Sequence, residues 1–166
     1  MKILIAYSSS TLNTEKIANA LMNNLTDHEV ELLLVDFNTE SIKLSDYELV
    51  LFGSGIYLGV ASNYLTDFVQ NAIDYPKKFA VFYSCGSKQP CPHAFDTLIE
   101  IMSKHSSEYL GEWHCFGEVF YSYSSDDFIE AQKNYEKLGF HPSEQDFESA
   151  TNFVKSILSN IDANQS

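Results

Sequence analysis

Two hydrophobic periodicities alternate along this chain, and few architectures accommodate both. Near-continuous apolar runs of β type occupy residues 2–7, 29–35, 48–52, 78–84 and roughly 113–121, as suits strands covered on both faces. Between them, Ile17, Leu21 and Leu25 repeat at helical spacing, Tyr64, Leu65, Phe68, Val69 and Ala72 form a doubled stripe, and Phe95, Leu98, Ile99 and Met102 form a third. A longer stripe runs through Phe147, Ala150, Val154, Ile157, Leu158 and Ile161. Ser143 opens it with Asp146 three positions on, an N-cap followed by acid in the first turn. Each helical stripe buries one face, and each crossover must return the chain right-handedly to a parallel neighbour. The expectation is an α/β three-layer sandwich on a five-stranded parallel sheet.

Residues 122–142 carry the weakest pattern: a helix through Phe128, Ala131, Tyr135 and Leu138, ending at Gly139, is favoured over a loop. No repeat or linker-like stretch divides the chain, so a single domain over 1–166 is expected. At 166 residues and 45% hydrophobic, such a domain buries about 70% of the surface its unfolded chain exposes and needs no metal or disulfide to hold its core.

Lys and Arg number 10 against 23 Asp and Glu, a net charge of -13. That sign repels nucleic-acid backbones and anionic lipid, and suits either basic protein partners or solubility alone. Asp126 with Asp127, and Asp27 with Glu29 and Glu31, read as solvated surface, with docking as the alternative. Cys85, Cys91 and Cys115 are odd in number and lack Cys-x-x-Cys spacing, which fits reduced thiols in a cytosol. Residues 1–7 are too short for a signal-peptide core, and no apolar run approaches the ~20 residues of a spanning helix. A soluble cytoplasmic protein is expected.

Ligands of open parallel sheets sit beyond the carboxyl ends of the strands. There, Ser8-Ser9-Ser10-Thr11-Leu12-Asn13-Thr14 offers hydroxyl or amide side chains at every position but Leu12. Several donors beside the free N–H groups of a helix start make a nest for a phosphate dianion, the alternative being a plain capping turn. Neither a Gly-x-x-x-x-Gly-Lys-[Ser/Thr] loop nor a Gly-x-Gly-x-x-Gly turn follows the first strand, which excludes the common nucleoside-triphosphate and dinucleotide cradles. The loop carries no Lys or Arg, so hydrogen bonds and the helix dipole must neutralise the anion.

Ser9-x-Thr11-x-Asn13-Thr14-Glu15 resembles the phosphate-binding loop of flavodoxins, small proteins that carry FMN. The likeness extends to Gly53-Ser54-Gly55-Ile56-Tyr57-Leu58-Gly59, which resembles the first flavin-contacting loop, and to Phe82-Tyr83-Ser84-Cys85-Gly86-Ser87 at the place of the second. His141-Pro142-Ser143-Glu144-Gln145-Asp146 resembles the lead-in to the last helix in one flavodoxin-like subfamily. The resemblance, rather than the residues, supplies the strand order 2-1-3-4-5 with FMN at the switch between strands one and three, the known flavodoxin arrangement. It implies a phosphate held by Ser9, Ser10, Thr11, Asn13 and Thr14, and a flavin ring held by Ser54, Gly55, Ile56, Tyr57, Gly59, Ser84, Cys85, Gly86 and Ser87.

Tyr57 is the expected stacking residue, with a loop-anchoring tyrosine as the alternative. Gly55 and Gly59 permit close backbone approach and, as the resemblance implies, a peptide flip toward N5–H of the one-electron-reduced flavin; a purely structural turn would use glycine equally well. Leu12 stands where many flavodoxins have glycine, and its Cβ works against positive φ and crowds the phosphate. The small Ser84-Cys85-Gly86 segment makes ring stacking one-sided.

Two competing chemistries are weaker. Cys85 with His93 or His114 as base meets only half of a nucleophile-elbow pattern, and Cys91-Pro92-His93 fits no common zinc spacing. His28, His105 and His141 read as surface residues. The expected function is therefore FMN-dependent, low-potential electron transfer by a monomer between a reductase and basic partner proteins, without nucleic acid, membrane or metal. An FMN-dependent NAD(P)H:quinone or flavin reductase and a non-redox phosphate-ligand-binding domain are the rivals.

Overall fold

The computed structural model describes residues 1–86, 89–117 and 141–163. In chain order these form β1 (Lys2–Ser8), α1 (Asn13–Asn24), β2 (Glu29–Leu34), a 3-10 turn (Leu44–Asp46), β3 (Leu49–Tyr57) and β4 (Val60–Ala61). They continue with α2 (Asn63–Gln70), β5 (Lys78–Cys85), α3 (Asp96–Lys104), β6 (Glu108–Phe116) and α4 (Glu144–Ala163). The long strands lie side by side as β2-β1-β3-β5-β6, every neighbouring pair parallel. Counted without the two-residue β4, this is the expected order 2-1-3-4-5. The helix anticipated within 122–142 lies outside the described residues.

Alternation along the strands builds the two core layers. Ile3, Ile5 and Tyr7 of β1 pack with α1 and α4, through Ile17, Leu21, Val154 and Leu158. Leu4 and Ala6 point the other way, toward Leu65, Phe68, Leu98 and Met102 of α2 and α3. The stripes read as helical in α1, α2, α3 and α4 thus supply the buried faces of those helices, except that Tyr64 is half exposed and Ala72 lies beyond the end of α2. Phe52 and Phe79, fully buried on the α2/α3 side, meet edge to face with ring centroids 6.2 Å apart. Truncating either to Ala costs about 3–5 kcal/mol.

Two strands differ from expectation. The last runs Glu108–Phe116 rather than 113–121. It lies at the sheet edge, where Glu108 and Glu112 face solvent, and its register against β5 slips by one residue between Phe79 and Val81. Gly111, at φ 116°, lies in this bulge. Exposed acids and a broken alternation removed the apolar signal from its first half. β3, conversely, continues five residues beyond Phe52, because Gly53, Ser54 and Gly55 still pair with β5 and the first two of them with β1. The segment read as a loop is mostly strand. It ends in a tight reversal at Leu58 and Gly59, φ 52° and 87°, the two positive angles of a type I′ hairpin turn, which hands the chain to β4.

At α4 the Ser143 hydroxyl accepts the Asp146 N–H at 3.3 Å, while the Asp146 carboxylate accepts the Ser143 N–H at 2.6 Å and its hydroxyl at 2.7 Å, a reciprocal capping box. His141 Nδ1 lies 2.7 Å from the same carboxylate. Burial pushes the Asp146 carboxyl up, but these hydrogen bonds outweigh it and hold the group below its ordinary value. No helix among the described residues is long and apolar enough to cross a membrane.

Candidate functional site

The polar loop leaves the carboxyl end of β1 and turns into α1. Its first hydroxyl anchors it: Ser8 Oγ, buried, donates to Ser62 Oγ at 3.0 Å, at the start of α2. Ser9 Oγ accepts the Glu15 N–H at 3.4 Å, the Ser10 N–H points to the Tyr57 hydroxyl at 3.1 Å, and Thr11 Oγ1 accepts from Asn13 Nδ2 at 3.1 Å. Thr14 is buried, with its hydroxyl 3.3 Å from that of Ser84 on β5.

Leu12 occupies the N-cap of α1 and takes φ 66°, ψ -2°, the left-handed conformation its Cβ was expected to oppose. The end of β1 and the first turn of α1 leave the backbone this route, at a cost of about 1–2 kcal/mol for a non-glycine residue. Crowding is avoided because the side chain is 56% exposed and lies outside the cleft lining. A leucine also brings no oxygen to the cap, so no side chain at this position satisfies the free N–H groups of the first turn.

Glycines set the floor beside this loop. Gly53 passes beneath Phe82, where a Cβ would lie 2.2 Å from the ring, and Gly55 lies beneath Tyr57, where a Cβ would come within 2.7 Å of the hydroxyl oxygen. Ser54 between them is fully buried; its hydroxyl accepts the Ser62 N–H at 2.8 Å and donates to the Gly55 carbonyl at 2.6 Å. It therefore braces β3 against α2 rather than facing outward.

An open cleft of about 370 Å³ runs between these segments, with Thr11 and Asn13 at one side, Gly55, Ile56 and Tyr57 at another, and Ser84, Cys85 and Gly86 closing the third. The cleft lies past the ends of β1, β3 and β5, at the point where the strand order reverses. The flavodoxin domain family model matches residues 4–155. The chain belongs to the flavodoxin family.

An uncharacterised protein of Methanocaldococcus jannaschii is 32% identical over 161 residues, 96% of this chain and 100% of its own length. In three dimensions the chain resembles oxidised flavodoxin 2 of Bacillus cereus, with TM-score 0.66, 22% identity and coverage of 96% of this chain and 99% of that one. It also resembles a flavoprotein of Lactobacillus acidophilus solved in complex with FMN, with TM-score 0.52, 17% identity and coverage of 68% and 92%.

Within this flavodoxin domain, Thr11, Asn13, Gly55, Ile56, Tyr57, Ser84, Cys85 and Gly86 share the cleft. Thr14 sits just behind it, in contact with Ser84, and Ser54 is turned inward. Gly59 stands in the hairpin turn, while Ser87 lies outside the described residues. Gly117 also lines the cleft, although the sequence reading did not single it out. Its N–H donates to the Cys85 carbonyl at 2.9 Å, and a Cβ there would lie 2.9 Å from Ser84 Cβ and 3.0 Å from Asn13 Nδ2. Placing the last strand at its true bounds would have exposed the signal, a glycine immediately past its carboxyl end.

The suggested nucleophile partners of Cys85 are engaged elsewhere. His93 Nδ1 lies 2.8 Å from Asp96, and His114 stacks on Tyr83 with centroids 5.1 Å apart. Burial, partly offset by the N–H of Cys91, pushes the Tyr83 phenol up to about 12, so it stays neutral beneath the site. Burial likewise pushes the Cys115 thiol up. No group of three or more His, Cys, Asp or Glu able to hold a metal ion occurs among the described residues.

Proposed function

We propose that this flavodoxin domain binds one FMN noncovalently and carries single electrons between a reductase and acceptor proteins. The observation that carries the reading is the continuity of the cleft, which joins an uncharged hydroxyl-and-amide loop to the glycine-rich ends of β3 and β5. The loop and the pair of strand ends match the two halves of the cofactor, a phosphate monoester and a planar ring. A Cβ at Gly55 or Gly117 would intrude on Tyr57 in the first case and on Ser84 and Asn13 in the second, so close packing of the cleft wall holds both positions to glycine. Relatedness to flavodoxins supports the same cofactor.

In this reading Ser9, Ser10, Thr11, Asn13 and Thr14 hold the phosphate through hydroxyls, the amide and the N–H groups at the start of α1. The backbone of Gly55 and Ile56 faces one side of the ring and Ser84, Cys85 and Gly86 the other, while Tyr57 stacks. Bound FMN would supply one-electron redox chemistry, and the chain itself would supply position and electrostatics. The net charge of -13 opposes extra negative charge on the flavin, which favours a low potential, and attracts basic redox partners. The fully exposed Leu58 and the half-exposed Leu12 and Val60 offer those partners apolar contacts beside the site. We place the protein in the cytoplasm as a monomer.

The test is a visible spectrum of the purified protein followed by titration with FMN. A yellow protein that carries one flavin and gains no NAD(P)H:quinone activity without a separate reductase is the expected result. A colourless protein that leaves FMN fluorescence unquenched refutes it.

A further inference from the structure

Two of the three cysteines meet on one side of the sheet. All three are thiols. Cys85, buried, belongs to the core layer beneath α2 and α3, and Cys91, partly exposed, packs against that same layer, whereas Cys115 lies in the opposite one. Two contacts hold the returning chain over the end of β5: the Cys85 thiol points to the Gln89 carbonyl at 3.9 Å, and the Cys91 N–H donates to the Tyr83 hydroxyl at 3.2 Å. Tyr83 and Cys85 alternate with Ser84 on β5 and so face the same way. Burial is the main reason the Tyr83 phenol is pushed up, and negative charge on either sulfur adds to it, which places both sulfurs within electrostatic reach of one hydroxyl. The two cysteines differ in what holds them. Cys85 lines the cleft and is fixed by the sheet, paired with Phe116 and with its carbonyl accepting the Gly117 N–H at 2.9 Å. Cys91 stands outside every strand and helix, in a turn closed by the Ala94 N–H on its carbonyl at 3.2 Å.

We infer that Cys85 and Cys91 form a dithiol redox site on the wall of the cleft, which hydrogen peroxide converts to a disulfide that narrows the cleft. The more accessible Cys91 attacks as thiolate on a peroxide oxygen; the O–O bond breaks, leaving a sulfenic acid on Cys91 and a hydroxide that takes up the thiol proton as water. The Cys85 sulfur then attacks Cys91 Sγ, the S–O bond breaks, and the sulfenic hydroxyl departs with the Cys85 proton as a second water. Two thiols thereby lose two electrons and two protons, which the peroxide gains. Because the strand end is fixed, the turn is the part that moves: Cys91 leaves the Tyr83 hydroxyl and swings toward Gly86 on the cleft wall. In a reducing compartment such a bond is transient, and a small dithiol reverses it by exchange. The effect on cofactor binding rests on the FMN reading; the thiol pair itself does not.

The experiment treats the full chain without flavin, as wild type and as Cys91→Ser, with hydrogen peroxide. Peptide mapping by mass spectrometry locates the product, the Gly86 and Gly117 amides are followed by NMR, and FMN affinity is measured before oxidation, after it, and after reduction with dithiothreitol. Wild type should lose two hydrogens in one internal Cys85–Cys91 link, and both amide resonances should move. Its FMN affinity should fall by about two- to tenfold, the equivalent of the Cys91–Tyr83 hydrogen bond, and return on reduction. Cys91→Ser should bind FMN as wild type does and form no internal link.

Separate sulfenic or sulfinic acids without a link, or a link through Cys115, overturns the redox site. So does a Cys85–Cys91 link that leaves both amides in place, or one that leaves the affinity of an FMN-binding protein unchanged. If the reduced chain fails to bind FMN while the link forms and moves the amides, the FMN assignment falls and the redox site stands. If the reduced chain binds FMN and no link forms, the redox site falls and the FMN assignment stands.

Discussion

Leu12 offers a measurement whose sign, rather than size, decides the matter. At φ 66° this residue pays for a conformation that glycine enters freely. Replacing it by Ala and by Gly removes the same partly exposed side chain in both cases, so lost apolar contact cancels in the comparison. What remains is about 1–2 kcal/mol of left-handed strain relieved only by Gly, against about 0.4–1 kcal/mol of extra unfolded-state entropy that Gly carries. Leu12→Gly should therefore be more stable than Leu12→Ala by roughly 0.5–1 kcal/mol, taking the middle of both ranges. At ordinary sites the order is the reverse, with Ala favoured by about 0.5–1 kcal/mol in regular structure. Urea denaturation of the two variants reads the difference through the midpoint at constant slope, and thermal melts should separate by about 1–4 °C for a domain of this size. An Ala variant as stable as the Gly variant, or more so, would contradict the left-handed geometry and with it the account of why this loop tolerates leucine.

The remaining expectations concern the cleft and the last helix. Gly117→Ala forces a Cβ to within 2.9–3.0 Å of Ser84 and Asn13, so it should cost about 1–3 kcal/mol in stability and weaken FMN binding; an unchanged melt and titration would show that the strand end shifts freely. Thr14→Val strips a buried hydroxyl from its 3.3 Å contact with Ser84 and should lower FMN affinity in a fluorescence titration, while unchanged affinity would remove Thr14 from the phosphate set. Asp146 is held below the ordinary 3.8 in the folded chain, so its contribution to stability is complete above that pH and is lost as pH falls through the folded value. Asp146→Asn should therefore be less stable than wild type near neutrality, with the gap closing in acid; a pH-independent gap in denaturation midpoints would locate the effect elsewhere.

Much of the architecture was readable because it depends on near neighbours along the chain. The helical stripes of α1, α2, α3 and α4 and the apolar runs of β1 and β5 are local patterns, and burial acts on them directly, whereas β2 lies at the sheet edge and none of its residues is fully buried. The capping box at Ser143 and Asp146 is equally local. Beyond this the signal thinned. β6 lies at an edge with a bulge, so its first half carried too few apolar residues to register. Ser54 looked like a ligand residue by its place in a glycine-rich segment, yet its direction depends on Ser62, eight positions on, and it points inward.

The order of residues along the chain dictated the succession of strands and helices, and with it the loop at the mouth of α1, because helix and strand periods are properties of short stretches. The folded molecule alone settled which polar groups serve as braces and which face the cleft, since that depends on partners from distant segments. Thr14 turns to Ser84, Gly117 closes on Asn13, and Tyr57 reaches the Ser10 N–H. None of these pairings leaves a trace in local composition, because each is created when the parallel sheet brings the ends of β1, β3, β5 and β6 to one edge.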